Sequence, residues 1–142
     1  MQTAALVAVD TKGGSMRLLI ALLAVAFLTV ATSALAGDGH VKAALEPVDG
    51  SGLSGFVQLQ QLPEGSNVHV VVRGLAPGQE VNSFYYDDTE CSEDPDLVGS
   101  ITANGGGTGA VSAKIDEDVD EVGSISVRIP PYSTLLACAA TQ

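Results

Sequence analysis

The sequence predicts an all-β domain, an eight-stranded Greek-key barrel or sandwich, and three observations carry that prediction. Short segments in which apolar and polar residues alternate follow one another at close intervals. Clusters of Gly, Pro, Asn and Asp separate them, and no segment sustains a helical period. Aromatic residues are sparse and Trp is absent, so the core must be built from Val, Leu, Ile and Ala, side chains that suit β-structure when they alternate with polar ones.

Taken in order, the first strand is expected at Val41–Glu46. The turn residues Asp49-Gly50-Ser51-Gly52 separate it from a second at Phe56–Gln61, and Pro63-Glu64-Gly65-Ser66 then leads into a third at Val68–Arg73. In that third strand Val68, Val70 and Val72 share one face, while His69 and Arg73 fall on the other with Val71. His69 is therefore expected to be a solvent-facing strand residue rather than a metal ligand. Ala76-Pro77-Gly78-Gln79 turns the chain into Val81–Tyr86, which is followed by Val98–Ala103. Asn104-Gly105-Gly106-Gly107 connects to Gly109–Lys114; no helix follows the three glycines, so they form a turn and not a phosphate cradle. Ser124–Arg128 and Leu135–Ala139 complete the set of eight, enough to close a small barrel. There is no internal repeat.

The N-terminal quarter has a different character. Met16-Arg17 precedes the apolar run Leu18 to Val30, and Ala31-Thr32-Ser33-Ala34-Leu35-Ala36 ends in small residues, the pattern of a signal helix cleaved after Ala36. The organisation expected is residues 1–36 as extension and signal peptide and 37–142 as one domain, extracytoplasmic (periplasmic or secreted), with no stable membrane span after cleavage. Met16 is an alternative start, since residues 1–15 add nothing a signal peptide needs. Without the leader the domain carries 16 acidic residues against Lys42, Arg73, Lys114 and Arg128, a net charge of −12. Such a charge keeps a domain soluble and repels nucleic acid and anionic lipid.

Cys91 and Cys138 are the only cysteines. In an oxidising compartment they are expected to pair; a reactive thiol pair is the alternative, although the Cys-x-x-Cys spacing that tunes redox cysteines is absent. Two acidic runs, Asp87 to Asp96 around Cys91 and Asp116 to Glu121, offer the oxygen ligands calcium prefers, but the second has Glu121 where an EF-hand needs glycine, so solvated loops are expected. Cleavage one residue later, after Gly37, would leave Asp38-Gly39-His40, a tripeptide able to bind Cu(II) through nitrogen. No nucleophile, base and orienting group mark a catalytic centre.

Several fragments, in order, carry a family likeness. Ala44-Leu45-Glu46-Pro47, Gly50-Ser51-Gly52-Leu53-Ser54-Gly55, Gly74-Leu75-Ala76-Pro77-Gly78, Gly99-Ser100-Ile101-Thr102-Ala103-Asn104 and Leu136-Ala137-Cys138 follow one another at roughly the spacing found in Cu/Zn superoxide dismutases and the related chordin-type domains. The chain resembles that family over residues 41–139. The resemblance implies the eight-stranded Greek-key barrel and a Cys91–Cys138 bridge tying a loop to the last strand.

The family's chemistry does not follow. Its enzymes hold copper and zinc with six histidines and an aspartate, and this chain has two histidines in all. By the resemblance, copper-ligand positions fall at Ser83, Tyr85 and Arg128, and the zinc aspartate falls near Leu97. The substrate-guiding arginine is replaced by Leu135, and Pro130-Pro131-Tyr132-Ser133-Thr134 is too short for the charged channel loop. The expectation is a non-catalytic exported barrel without cofactor, metal ligands or catalytic residues, serving as a binding or structural module for an unknown protein or small ligand. The rival class is a metal-binding protein (copper, zinc or calcium) with a residual role in superoxide metabolism, built on the acidic loops and His40.

Overall fold

The structure, a computed structural model, describes residues 39–142; the expected signal helix and its cleavage point lie outside them. Nine strands are formed: β1 His40–Ala44, β2 Glu46–Pro47, β3 Ser54–Gln61, β4 Ser66–Arg73, β5 Glu80–Tyr86, β6 Asp96–Thr102, β7 Thr108–Ile115, β8 Ser124–Arg128 and β9 Leu135–Ala140. The described residues contain no helix. The one difference in element count lies at the first expected strand, which is two. Leu45 buries its side chain in the core and donates its backbone N–H to Gly55 O (3.1 Å). The chain steps there from one sheet to the other, so β1 pairs with β3 and β2 with β9.

Two antiparallel sheets result, ordered β1-β3-β4-β7 and β2-β9-β8-β5-β6. β5 and β6 cross to the second sheet and β7 returns to lie beside β4, which is Greek-key connectivity. The inward faces are the alternating apolar positions: Val57 and Leu59 on β3, Val68, Val70 and Val72 on β4, Val81 on β5, Ile101 on β6, Ile125 and Val127 on β8, Ala137 and Ala139 on β9. Small β-branched side chains fill the layer between sheets about 10 Å apart without any Trp. Each valine so buried contributes on the order of 1.5–3 kcal/mol before conformational entropy is set against it. His69 lies on the outer face of β4, between Gln58 and Ser112 across the neighbouring strands, as the alternation requires.

Candidate functional site

The strand β5 decides what chemistry the second sheet can present. Side chains alternate between faces, and its register with β8 pairs Ser83 with Val127 and Tyr85 with Ile125 on the core side, and Asn82 with Arg128, Phe84 with Ser126 and Tyr86 with Ser124 on the outer side. Of the three positions at which the family likeness calls for copper ligands, Ser83 and Tyr85 therefore face inward and Arg128 outward. They do not converge on one point. Ser83 is fully buried and donates its hydroxyl to Ser126 O (3.0 Å). Tyr85 is buried in the main core, and burial, then the neighbouring Glu117 carboxylate, push its phenol well above the ordinary tyrosine range. Leu97, near which the likeness places the zinc aspartate, is 57% exposed on the edge strand β6.

On the outer face Arg128 organises a second, smaller core. Its Nε donates to Tyr86 Oη (3.0 Å), Nη2 to Cys91 O (2.9 Å) and Nη1 to Ser133 O (2.9 Å), and the guanidinium lies 4.3 Å from the centre of the Tyr132 ring. Tyr132 meets Phe84 edge to face at 5.0 Å between ring centres. The Tyr86 hydroxyl also bonds Ser126 Oγ (2.9 Å), and Phe84, Tyr86 and Cys91 pack together with Leu135 and Cys138 at their rim. Cys91 and Cys138 form a disulfide, which fixes the loop after β5 to β9 and fits an oxidising compartment. A planar guanidinium with three fixed acceptors and an aromatic partner is a structural clamp; with its donors so committed, its charge repels any cation brought to the same spot.

The loop itself is held by Asp88. Its carboxylate accepts from the backbone N–H of Glu90 (2.6 Å), Glu93 (2.8 Å) and Ser92 (3.3 Å), while Ser124 Oγ donates to Asp88 O (2.6 Å) and accepts from Cys91 N (3.1 Å). Gly123 permits this closeness, because a Cβ there would run into the carbonyl oxygens of Asp87 and Asp88. Partial burial works against the Asp88 charge, but the Glu93, Glu90 and Ser92 amides outweigh it and hold the carboxyl below its ordinary value. A depressed folded value means that the loop's contribution to stability is complete above the unfolded-state value of about 3.9 and is lost as pH falls through the folded value. The expected result is that amide exchange at Glu90, Ser92 and Glu93, normalised for intrinsic rates, accelerates once the pH drops below about 4. Asp88→Ala should show the faster exchange already at neutral pH.

The acidic runs meet at one end of the barrel, where Asp87, Asp116, Glu117 and Glu121 line an open cleft, with Glu117 Oε2 buried and without a hydrogen-bond partner. Among the described residues no group of three or more His, Cys, Asp or Glu side chains is arranged to hold a metal ion. Copper and zinc of the family's kind do not fit the residues present: the positions that the likeness assigns to copper ligands hold a hydroxyl, a phenol and a hydrogen-bonded cation, split between two faces. The sequence assigned no role to Phe84 or Tyr86, and it marked Asp88 only as part of an acidic run and Tyr132 only as part of a shortened loop. The run Phe84-Tyr85-Tyr86 is aromatic on both faces, a signal that β5 is covered on both sides.

Neither a family model nor a curated protein matches the chain. Among solved structures it is similar to a Cu/Zn superoxide dismutase from Brucella abortus, with a TM-score of 0.54 and 14% identity over 72% of this chain and 99% of that one. It is also similar to a superoxide dismutase-like protein from Bacillus subtilis, with a TM-score of 0.53 and 14% identity over 71% of this chain and 97% of that one. At that identity the likeness is one of fold: residues 39–142 form two antiparallel sheets in a Cu/Zn superoxide dismutase-like β-sandwich.

Proposed function

We propose that the chain is a non-catalytic, extracytoplasmic superoxide dismutase-like module that works by binding or by scaffolding. The observation that carries this reading is the engagement of Arg128: the outward-facing member of the three copper-ligand positions is a guanidinium spent on Tyr86, Cys91 and Ser133. Dismutation needs a redox metal held through two oxidation states in a nitrogen-rich, open site, and a clamped cation cannot supply one. Ser83 and Tyr85 do not compensate, because both side chains are buried on the other face. Selection for such a domain would act on the barrel as a rigid frame and on the surface it displays.

The assay is superoxide removal by the purified protein after loading with copper and zinc and stripping loosely held metal with a chelator. The expected rate equals that of chelated buffer, for the native protein and for Arg128→His alike, since one imidazole does not rebuild a site. Chelator-resistant activity in the native protein would overturn the reading.

A further inference from the structure

The four-stranded sheet has an outer face whose composition departs sharply from the rest of the domain. Register places His40, Lys42 and Ala44 of β1 on it, then Ser54, Phe56, Gln58 and Gln60 of β3, Asn67, His69, Val71 and Arg73 of β4, and Thr108, Ala110, Ser112 and Lys114 of β7. Three of the four cations among residues 39–142, and both histidines, fall on this one surface. None of the 15 acidic residues in that range does. Those acids lie on the opposite sheet and in the connecting loops, including Glu64 and Asp116 to Glu121 at the Lys114 end. Lys42, Arg73 and Lys114 are exposed, and the Lys42 ammonium lies 4.6 Å from the centre of the Phe56 ring. On a strongly acidic domain this is a segregated basic face.

We infer that this face docks an extended, carboxylate-bearing polysaccharide. The inference deepens the reading of the chain as a binding module by naming the surface and the chemistry of the partner. Charge complementarity gives the sign, and the remaining residues give the class. The cations are spread along and across the face: Lys42, Gln58, His69 and Ser112 form one cross-strand row, and His40, Gln60, Asn67 and Lys114 form another. Successive members of a row are about 4.8 Å apart, comparable to the length of one sugar ring. A chain lying across the strands thus meets an amide, imidazole, hydroxyl or ammonium at each step.

A protein partner would need a desolvated apolar centre with aromatic anchors. The face offers Phe56, already capped by Lys42, together with the half-buried Val71 and small alanines. A charged membrane is disfavoured for another reason. Its field covers a whole plane and would act on the full net charge, whereas a single polymer strand on this face is separated from the acids of the opposite sheet by at least the intersheet spacing of about 10 Å, a Debye length.

The test is titration of the purified protein into fluorescently labelled polygalacturonate, read by anisotropy, with the fully methyl-esterified polymer as a control of the same backbone without charge. The expected result is saturable binding to the acid form, none to the ester, and weakening as salt rises from 50 to 300 mM on the order expected for a few released counterions. Lys42→Glu/Lys114→Glu should weaken binding by about tenfold or more, and Arg73→Gln by a smaller factor, with circular dichroism unchanged for both. No binding to the acid form, equal binding to the ester, indifference to both variants, or stronger binding to vesicles rich in phosphatidylglycerol would each overturn the inference. None of these results bears on the dismutase assay, so the two readings fail separately.

Discussion

The Cys138→Ser variant is expected to lose about 4 kcal/mol of stability. The bond closes a loop with a sequence separation of 47, and opening it returns to the unfolded chain an entropy worth about 4 kcal/mol in the loop-closure model. Cys91 is 1% exposed and packs against Phe84 and Tyr86, so losing the bridge also loosens the lid over those aromatic rings. For a domain of about 100 residues the midpoint of thermal unfolding should fall by roughly 16–32 °C, since each kcal/mol moves it by about 4–8 °C. Cys91→Ser should act in the same direction. The double variant should cost little more than the worse single one, because the bond can be lost only once. Additive losses in guanidinium chloride unfolding would show that the sulfurs contribute separately and that the bridge does not constrain the native protein.

Arg128→Met is expected to cost about 2–3 kcal/mol. Methionine keeps much of the apolar stem but removes the hydrogen bonds to Tyr86 Oη, Cys91 O and Ser133 O and the contact with Tyr132. Hydrogen bonds to a charged group contribute about 1.5–3 kcal/mol each, and the total is smaller than their sum because Tyr86 keeps Ser126 and the exposed Ser133 carbonyl can bond water instead. Arg128→Lys should recover little, since one ammonium cannot reach three acceptors and stack on a ring at once. Urea unfolding measures the loss directly. Faster amide exchange confined to the segments around Cys91 and Ser133 would place it at the clamp, whereas a loss below about 0.5 kcal/mol would mean that solvent replaces these contacts without cost.

Most of the fold was written in local pattern. The alternation of Val68, Val70 and Val72 fixed the inward face of β4 and put His69 outside, and the Gly and Pro clusters marked the connections between strands. What pattern could not disclose was the crossing at Leu45, because a strand that changes sheets looks continuous along the chain and differs only in its partners. The site was less legible for a related reason. Ser83 and Tyr85 could be placed by counting from the Gly74-Leu75-Ala76-Pro77-Gly78 turn, but their facing depends on pairing with β8, which joins residues some 40 positions apart. Arg128 was identifiable as an obstacle to metal, yet its role as a clamp rests on three acceptors drawn from β5 and two separate loops. The segregated basic face is invisible in the net charge and emerges only when four strands are laid side by side.

Elemental analysis of the protein, purified without a tag after expression with added copper and zinc, tests the account most directly. With Arg128 clamped and Ser83 and Tyr85 turned into the core, copper and zinc should each be far below one equivalent per chain after dialysis against a chelator, while circular dichroism reports an intact β fold. One equivalent of copper retained through that treatment by the folded protein would contradict the account.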